Sequence, residues 1–397
     1  MYVDHGKLPH RARVLAYFEA MTAIAARYPA DDEVQIAYAI TLNVAASPTD
    51  KTYANQLKGA AILEPIFKRL PDHPGVAHYL IHLYDYPPIA QKGLDAALRY
   101  AKIAAAAPHA QHMPSHIFTR VGYWKESITS NLESVRVAKA FDEGSEQLHG
   151  MDYLVYAYLQ LAQDSKARTT VAEMLQTKNT SQTQGGDFAQ AASSARLAME
   201  RGDWQAAAAL AQRPTKFLQV AAITHFARAI GAARVGNIAS SRADVARLAE
   251  LREQLLAAKD AYWAEQVLVQ WEGASAWLMA AEGKHEDALA LMAAAAARED
   301  LTEKAPVTPG PIAPARELLG AMLLERGRAA DALAAFEATM RKEPNRFRAI
   351  AGAADAAHRA GQTGKAREYS ETLLKLASDG DNTRPEVAQA RLRVVGQ

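Results

Sequence analysis

At 397 residues, 49% of them hydrophobic, the chain has ample material for a large core. Its 45 Lys and Arg balance 44 Asp and Glu, which removes the electrostatic case for nucleic acid or an anionic membrane as partner. Cysteine is absent, so disulfides, cysteinyl metal sites and thiol nucleophiles are excluded. No run of about eighteen apolar residues exists to span a membrane. Only 7% of residues are aromatic, and alanine carries much of the apolar content, a bias that favours helices.

Taken in chain order, the opening Met1-Tyr2-Val3-Asp4-His5-Gly6-Lys7 lacks the charged and apolar regions of a secretory signal. The first distinctive element is Pro74-Gly75-Val76-Ala77-His78-Tyr79-Leu80-Ile81-His82, in which a proline is followed by histidines four and eight residues on. The pattern returns at Pro108-His109-Ala110-Gln111-His112-Met113-Pro114-Ser115-His116. His78 to His112 and His82 to His116 are each 34 residues, the length of a tetratricopeptide helix pair. Residues four apart share a helix face, about 5–6 Å apart at Cβ, and the first helices of such pairs line the concave groove of a solenoid. His78, His82, His112 and His116 are therefore expected to meet in that groove as metal ligands. Imidazole-rich sites suit zinc, copper, nickel or iron.

A third repeat begins at His149-Gly150-Met151-Asp152-Tyr153-Leu154-Val155-Tyr156 and places Asp152 and Tyr156 where the earlier repeats have histidines. Asp152, and Asp85 three residues past His82, are candidate carboxylates, as ligands or as groups orienting a ligand histidine. Tyr79, Tyr153 and His149 would flank a substrate. Arg196 takes a groove-facing place in a later repeat and is a candidate for an anionic group. His225, His285 and His358 are scattered and read as ordinary surface or groove residues, and His5, His10, His73 and His109 as exposed at helix starts or loops.

A turn glycine followed five residues later by a small residue recurs as Gly122/Ser127, Gly202/Ala207, Gly236/Ser241, Gly283/Ala288, Gly327/Ala332 and Gly361/Ala366. Glycine suits the left-handed position that ends the first helix of a pair. The spacing is irregular, with insertions at residues 179–187 and at residues 302–314, the latter rich in proline and read as a loop. Leu319, Gly320, Leu323, Ala332, Phe336 and Pro344 then fall on the tetratricopeptide pattern, giving regular repeats over residues 313–397. The expected fold is all-α: one right-handed helix-pair solenoid over residues 1–397, with the histidine-bearing repeats at 60–160.

The stretches HPGVAHYLIHLYDYPP, PHAQHMPSHIFTRVGYW and DYLVYAYLQ resemble a widespread group of bacterial tetratricopeptide-repeat proteins. The resemblance covers most of the chain and is most specific over residues 60–160. Members of that group are often longer at the N-terminus and often begin with an export signal, which implies a periplasmic or exported setting; without it, the chain reads as cytoplasmic. The resemblance carries no reaction with it.

Together these features point first to a metal-dependent hydrolase of the ester or phosphoester class, acting on a small molecule in the groove. Zinc on three histidines with an open position lowers the pKa of bound water toward neutrality. Asp152 would serve as general base or ligand orienter and Asp85 as a further catalytic carboxylate, with a groove tyrosine such as Tyr156, or Arg196, near the developing oxyanion. The alternative is a non-catalytic scaffold whose groove histidines and tyrosines bind a peptide or protein. A copper or iron redox enzyme on the same histidines is the third. A homodimer is one way for such an array to cover its terminal repeat.

Overall fold

The computed structural model describes residues 7–47, 49–178 and 183–395. The opening residues with His5, and part of the 179–187 insertion, lie outside the described residues. Among the described residues every regular element is helical: 21 α-helices and one short 3-10 turn. They pack in consecutive antiparallel pairs, a tetratricopeptide-like helical repeat. The chain divides into two compact units, Met1–Val121 and Gly122–Gln397, and the division falls at the first of the turn glycines.

The first unit holds α1 (His10–Arg27), α2 (Asp32–Ala45), α3 (Ala54–Arg69), α4 (Pro74–Tyr84), α5 (Leu94–Ile103), α6 (Pro108–His112) and α7 (Pro114–Val121). Helix α4 starts where the His73 Nδ1 accepts a hydrogen bond from the Val76 N–H and Pro74 takes the first position, where no N–H is needed. Val76, Ala77, Leu80, Ile81 and Tyr84 form its apolar stripe and pack with Leu63 of α3 and Ile117 of α7. His78 and His82 lie at the edge of that stripe, each half-buried. Pro108 likewise begins α6. Pro114 has no N–H to continue the ladder, and the His116 N–H bonds the Met113 carbonyl at 3.2 Å, so α7 starts with a tightened turn.

The second unit holds α8 (Trp124–Ala140), α9 (Gly144–Gln160), α10 (Asp164–Met174), α11 (Gln184–Glu200), α12 (Trp204–Ala208), α13 (Leu218–Arg234), α14 (Ile238–Ala257), α15 (Ala261–Ala281), α16 (His285–Asp300), α17 (Ala315–Glu325), α18 (Ala329–Lys342), α19 (Phe347–Arg359), α20 (Thr363–Leu376) and α21 (Pro385–Val395). Alanines such as Ala192, Ala195, Ala227 and Ala274 are fully buried at the helix contacts, where a larger side chain would hold the helices apart. All six turn glycines have positive φ, from 64° at Gly202 to 83° at Gly283. In the C-terminal repeat a Cβ at Gly320 would stand 2.9 Å from the Phe336 ring, and one at Gly352 would collide with it, so the ring fills the space those glycines leave. Residues 302–314 form the expected loop between α16 and α17.

Candidate metal centre

The 34-residue register brings both histidine pairs into the first unit's interior. On α4 the Nε2 atoms of His78 and His82 are 3.1 Å apart. Across the α6–α7 break those of His112 and His116 are also 3.1 Å apart. Nitrogens bound to one ion at about 2.0–2.1 Å stand about 3.3 Å apart at a tetrahedral angle. Each pair is thus spaced close to the bite of a single metal ion.

His109 joins them. Its ligand nitrogen and those of His78 and His82 all lie within 4.8 Å of one another, and its ring meets that of His78 edge-on at 5.2 Å. His109 is exposed and stands at a helix start, as expected, but it is also the third imidazole of this cluster. It sits on the first turn of α6, one turn before His112, and aims at the pair on α4. Its spacing of three from His112 was the available signal. Tyr100 of α5, also unremarked in the sequence, stacks on His78 at 5.4 Å and 12° between planes. Tyr79 tilts against the same ring at 5.5 Å.

Burial and the neighbouring imidazoles determine the charge state. His78 is pushed down to about 4, by burial first and then by His109 and His116. His82 is pushed down to about 3, by burial and by His116 and His78, with Asp85 pulling weakly the other way. Both rings are neutral near pH 7, the form in which imidazole ligates.

Asp85, at the C-terminal end of α4, organises the second pair. Its Oδ2 lies 3.0 Å from His116 Nδ1, and its Oδ1 and backbone carbonyl accept from Arg120 at 2.8 and 3.0 Å. A carboxylate on Nδ1 draws the ring proton there and leaves Nε2 bare for a cation, the usual arrangement behind a metal-binding histidine. Asp85, His112, His116 and Arg120 are all buried. Arg120 was not foreseen in the sequence; it balances the Asp85 charge.

His149 lies in the second unit, as do Asp152, Tyr153, Tyr156 and Arg196, which belong to a different network. Asp152 is fully buried, and its Oδ1 accepts from Ser193 at 2.9 Å and from Arg196. Burial pushes its carboxyl up while Arg196 and Ser193 pull it back. Arg196, expected to face the groove and meet an anion, is instead fully buried. It donates to Asp152, to the Thr308 hydroxyl at 2.6 Å and to the Gly310 carbonyl at 2.7 Å. The Tyr153 hydroxyl donates to the Thr308 carbonyl at 3.2 Å. Tyr156 accepts from Arg346 at 3.1 Å and meets Trp124 edge-on. Arg346 also pairs with Glu200 and, at 2.6 Å, with Glu317. His149 is half-buried, its ring edge-on to Tyr153 at 5.5 Å. Tyr153 and Arg196 hold residues 302–314 against α9 and α11. The local register could not show this, because the segment that covers Arg196 is more than a hundred residues away in the chain.

No family model and no curated protein matches this chain. Among solved structures it is similar to the TPR domain of P58(IPK), at 12% identity over 92% of this chain and 98% of that one, with a TM-score of 0.26. It is also similar to the APC/C hetero-tetramer Cut9–Hcn1, at 9% identity over 96% of this chain and 85% of that one, TM-score 0.26. Likenesses this loose carry no argument about function; the repeat architecture rests on the helix pairs and their turn glycines.

Proposed function

We propose that this chain is a metal-binding helical-repeat protein whose first unit holds zinc, or copper, on His78, His82 and His109. The observation that carries the reading is the convergence of three imidazoles from two helices, their ligand atoms within 4.8 Å of one another. The 3.1 Å bite of the HxxxH pair and its neutral rings support it. A hydrogen-bonded pair of groove histidines explains a single Nε2 contact; it gives no reason for a third imidazole to turn toward the same point.

Three imidazole ligands leave a fourth position for water or substrate, the composition of hydrolytic zinc centres. Ester or phosphoester hydrolysis is the reaction class that follows, with Tyr79 and Tyr100 beside His78 as the flanking groups. Asp152, Tyr156 and Arg196 drop out as base and charge stabiliser, since each already has partners inside the second unit. The second reading, a peptide- or protein-binding scaffold, is favoured by a different observation. Helices α9 and α11 grip residues 302–314 through the carbonyls of Thr308 and Gly310, as repeat surfaces grip an extended peptide.

Elemental analysis of the purified chain before and after chelation tests the proposal, with ester and phosphoester turnover followed in parallel. We expect stoichiometric zinc or copper that a chelator strips and that the His78→Ala/His82→Ala double variant fails to bind. Full metal retention by that variant, or no metal in the native chain, would return the histidines to hydrogen bonding and leave the scaffold reading.

A further inference from the structure

We infer that the centre is dinuclear: His112 and His116 hold a second metal ion beside the one on His78, His82 and His109. This rests on the metal-binding reading above. Four imidazoles can share one ion only if all their ligand atoms converge, and here they fall into two sets. Ring centroids within the pairs are 4.8 Å apart for His78 and His82 and 4.9 Å for His112 and His116. The ligand atoms group accordingly: those of His78, His82 and His109 lie within 4.8 Å of one another, and those of His112 and His116 fall in a separate group. Within each pair the Nε2 atoms face one another across 3.1 Å.

The second bite is built as a site in its own right. His112 and His116 are only 1% and 2% exposed. His116 is turned by Asp85 so that Nε2, and not Nδ1, faces His112. The Pro114 break lets the pair meet across two short helices. The donor set is imidazole nitrogen, with the nearby carboxylate of Asp85 shared with Arg120, a chemistry that suits copper as well as zinc. Neighbouring ions in such an arrangement would act on one bound ligand together, as two-metal centres do.

Metal-free full-length chain titrated with zinc alone and with copper(I) alone, with bound metal counted after desalting, tests the inference. Two equivalents of either ion are expected, falling to one in His112→Gln and in His116→Asn, variants that keep a polar side chain in the buried position. Circular dichroism of each variant checks that the helices persist. A single equivalent with both ions, unchanged in the two variants, overturns the second position and leaves the first intact. No bound metal overturns both.

Discussion

Among single residues, Asp85 has the sharpest consequence. It touches His116 Nδ1 with one oxygen and Arg120 with the other, so it orients the proposed ligand ring without itself facing the paired Nε2 atoms. Replacing such an orienting carboxylate costs about 10–100-fold in metal affinity. Asp85→Asn should therefore bind the proposed second ion about 10–100-fold more weakly in a chelator competition, with the ion proposed on His78, His82 and His109 much less affected. A loss of under twofold would show that the carboxylate does not orient the ring. The same residue shows how far sequence reaches at this scale. Its place three residues past His82 marked it as a carboxylate near the centre, but not its partner, which lies 31 residues on and on another helix. His109 was legible only as a spacing, and its exposed place at a helix start gave no sign that it turns toward the pair on α4.

At the scale of helices and turns, the glycine signature is where sequence and structure agree most directly. The six glycines picked out by spacing alone all adopt positive φ, because the left-handed turn after a first helix forces Cβ of any other L-residue close to its own carbonyl. Their surroundings differ, and the differences rank the substitutions. A Cβ on Gly236 would meet no atom within 4 Å, so Gly236→Ala should cost only the backbone strain, about 1–2 kcal/mol. At Gly122 the same Cβ would collide with the Pro344 carbonyl and stand 2.8 Å from Asn345 Cβ. Gly122→Ala should cost clearly more, since backbone must shift as well. Denaturant titrations of both variants read this order directly; equal losses would mean that strain alone decides. The Pro114 break is the counterexample, an element boundary whose effect on the ring directions of His112 and His116 no propensity scale states.

For the molecule as a whole, the second unit is organised around buried charge. Arg346, at the start of α19, reaches Tyr156 on α9, Glu200 on α11 and Glu317 on α17, segments up to 190 residues apart. Removing one partner of a buried ion network leaves the others uncompensated, which costs about 3–5 kcal/mol. Arg346→Ala should lower the unfolding free energy of the second unit by about that much in a denaturant titration. A loss below about 1 kcal/mol would show that the network relaxes or takes up water instead. Arg196 belongs to the same organisation, and its burial under Thr308 and Gly310 removes it from any open groove.

The sequence by itself determined the helical-repeat architecture, the turn positions and the pairing of the histidines. Each of these follows from a period of 3.6 or of 34 residues that the chain carries locally. Only the tertiary structure decided that His109 belongs with His78 and His82 and that Asp85 orients His116. It alone buried Asp152, Tyr156 and Arg196 in another network. Those outcomes depend on which distant segments desolvate one another, and a periodic pattern specifies the face a residue occupies without naming what covers that face.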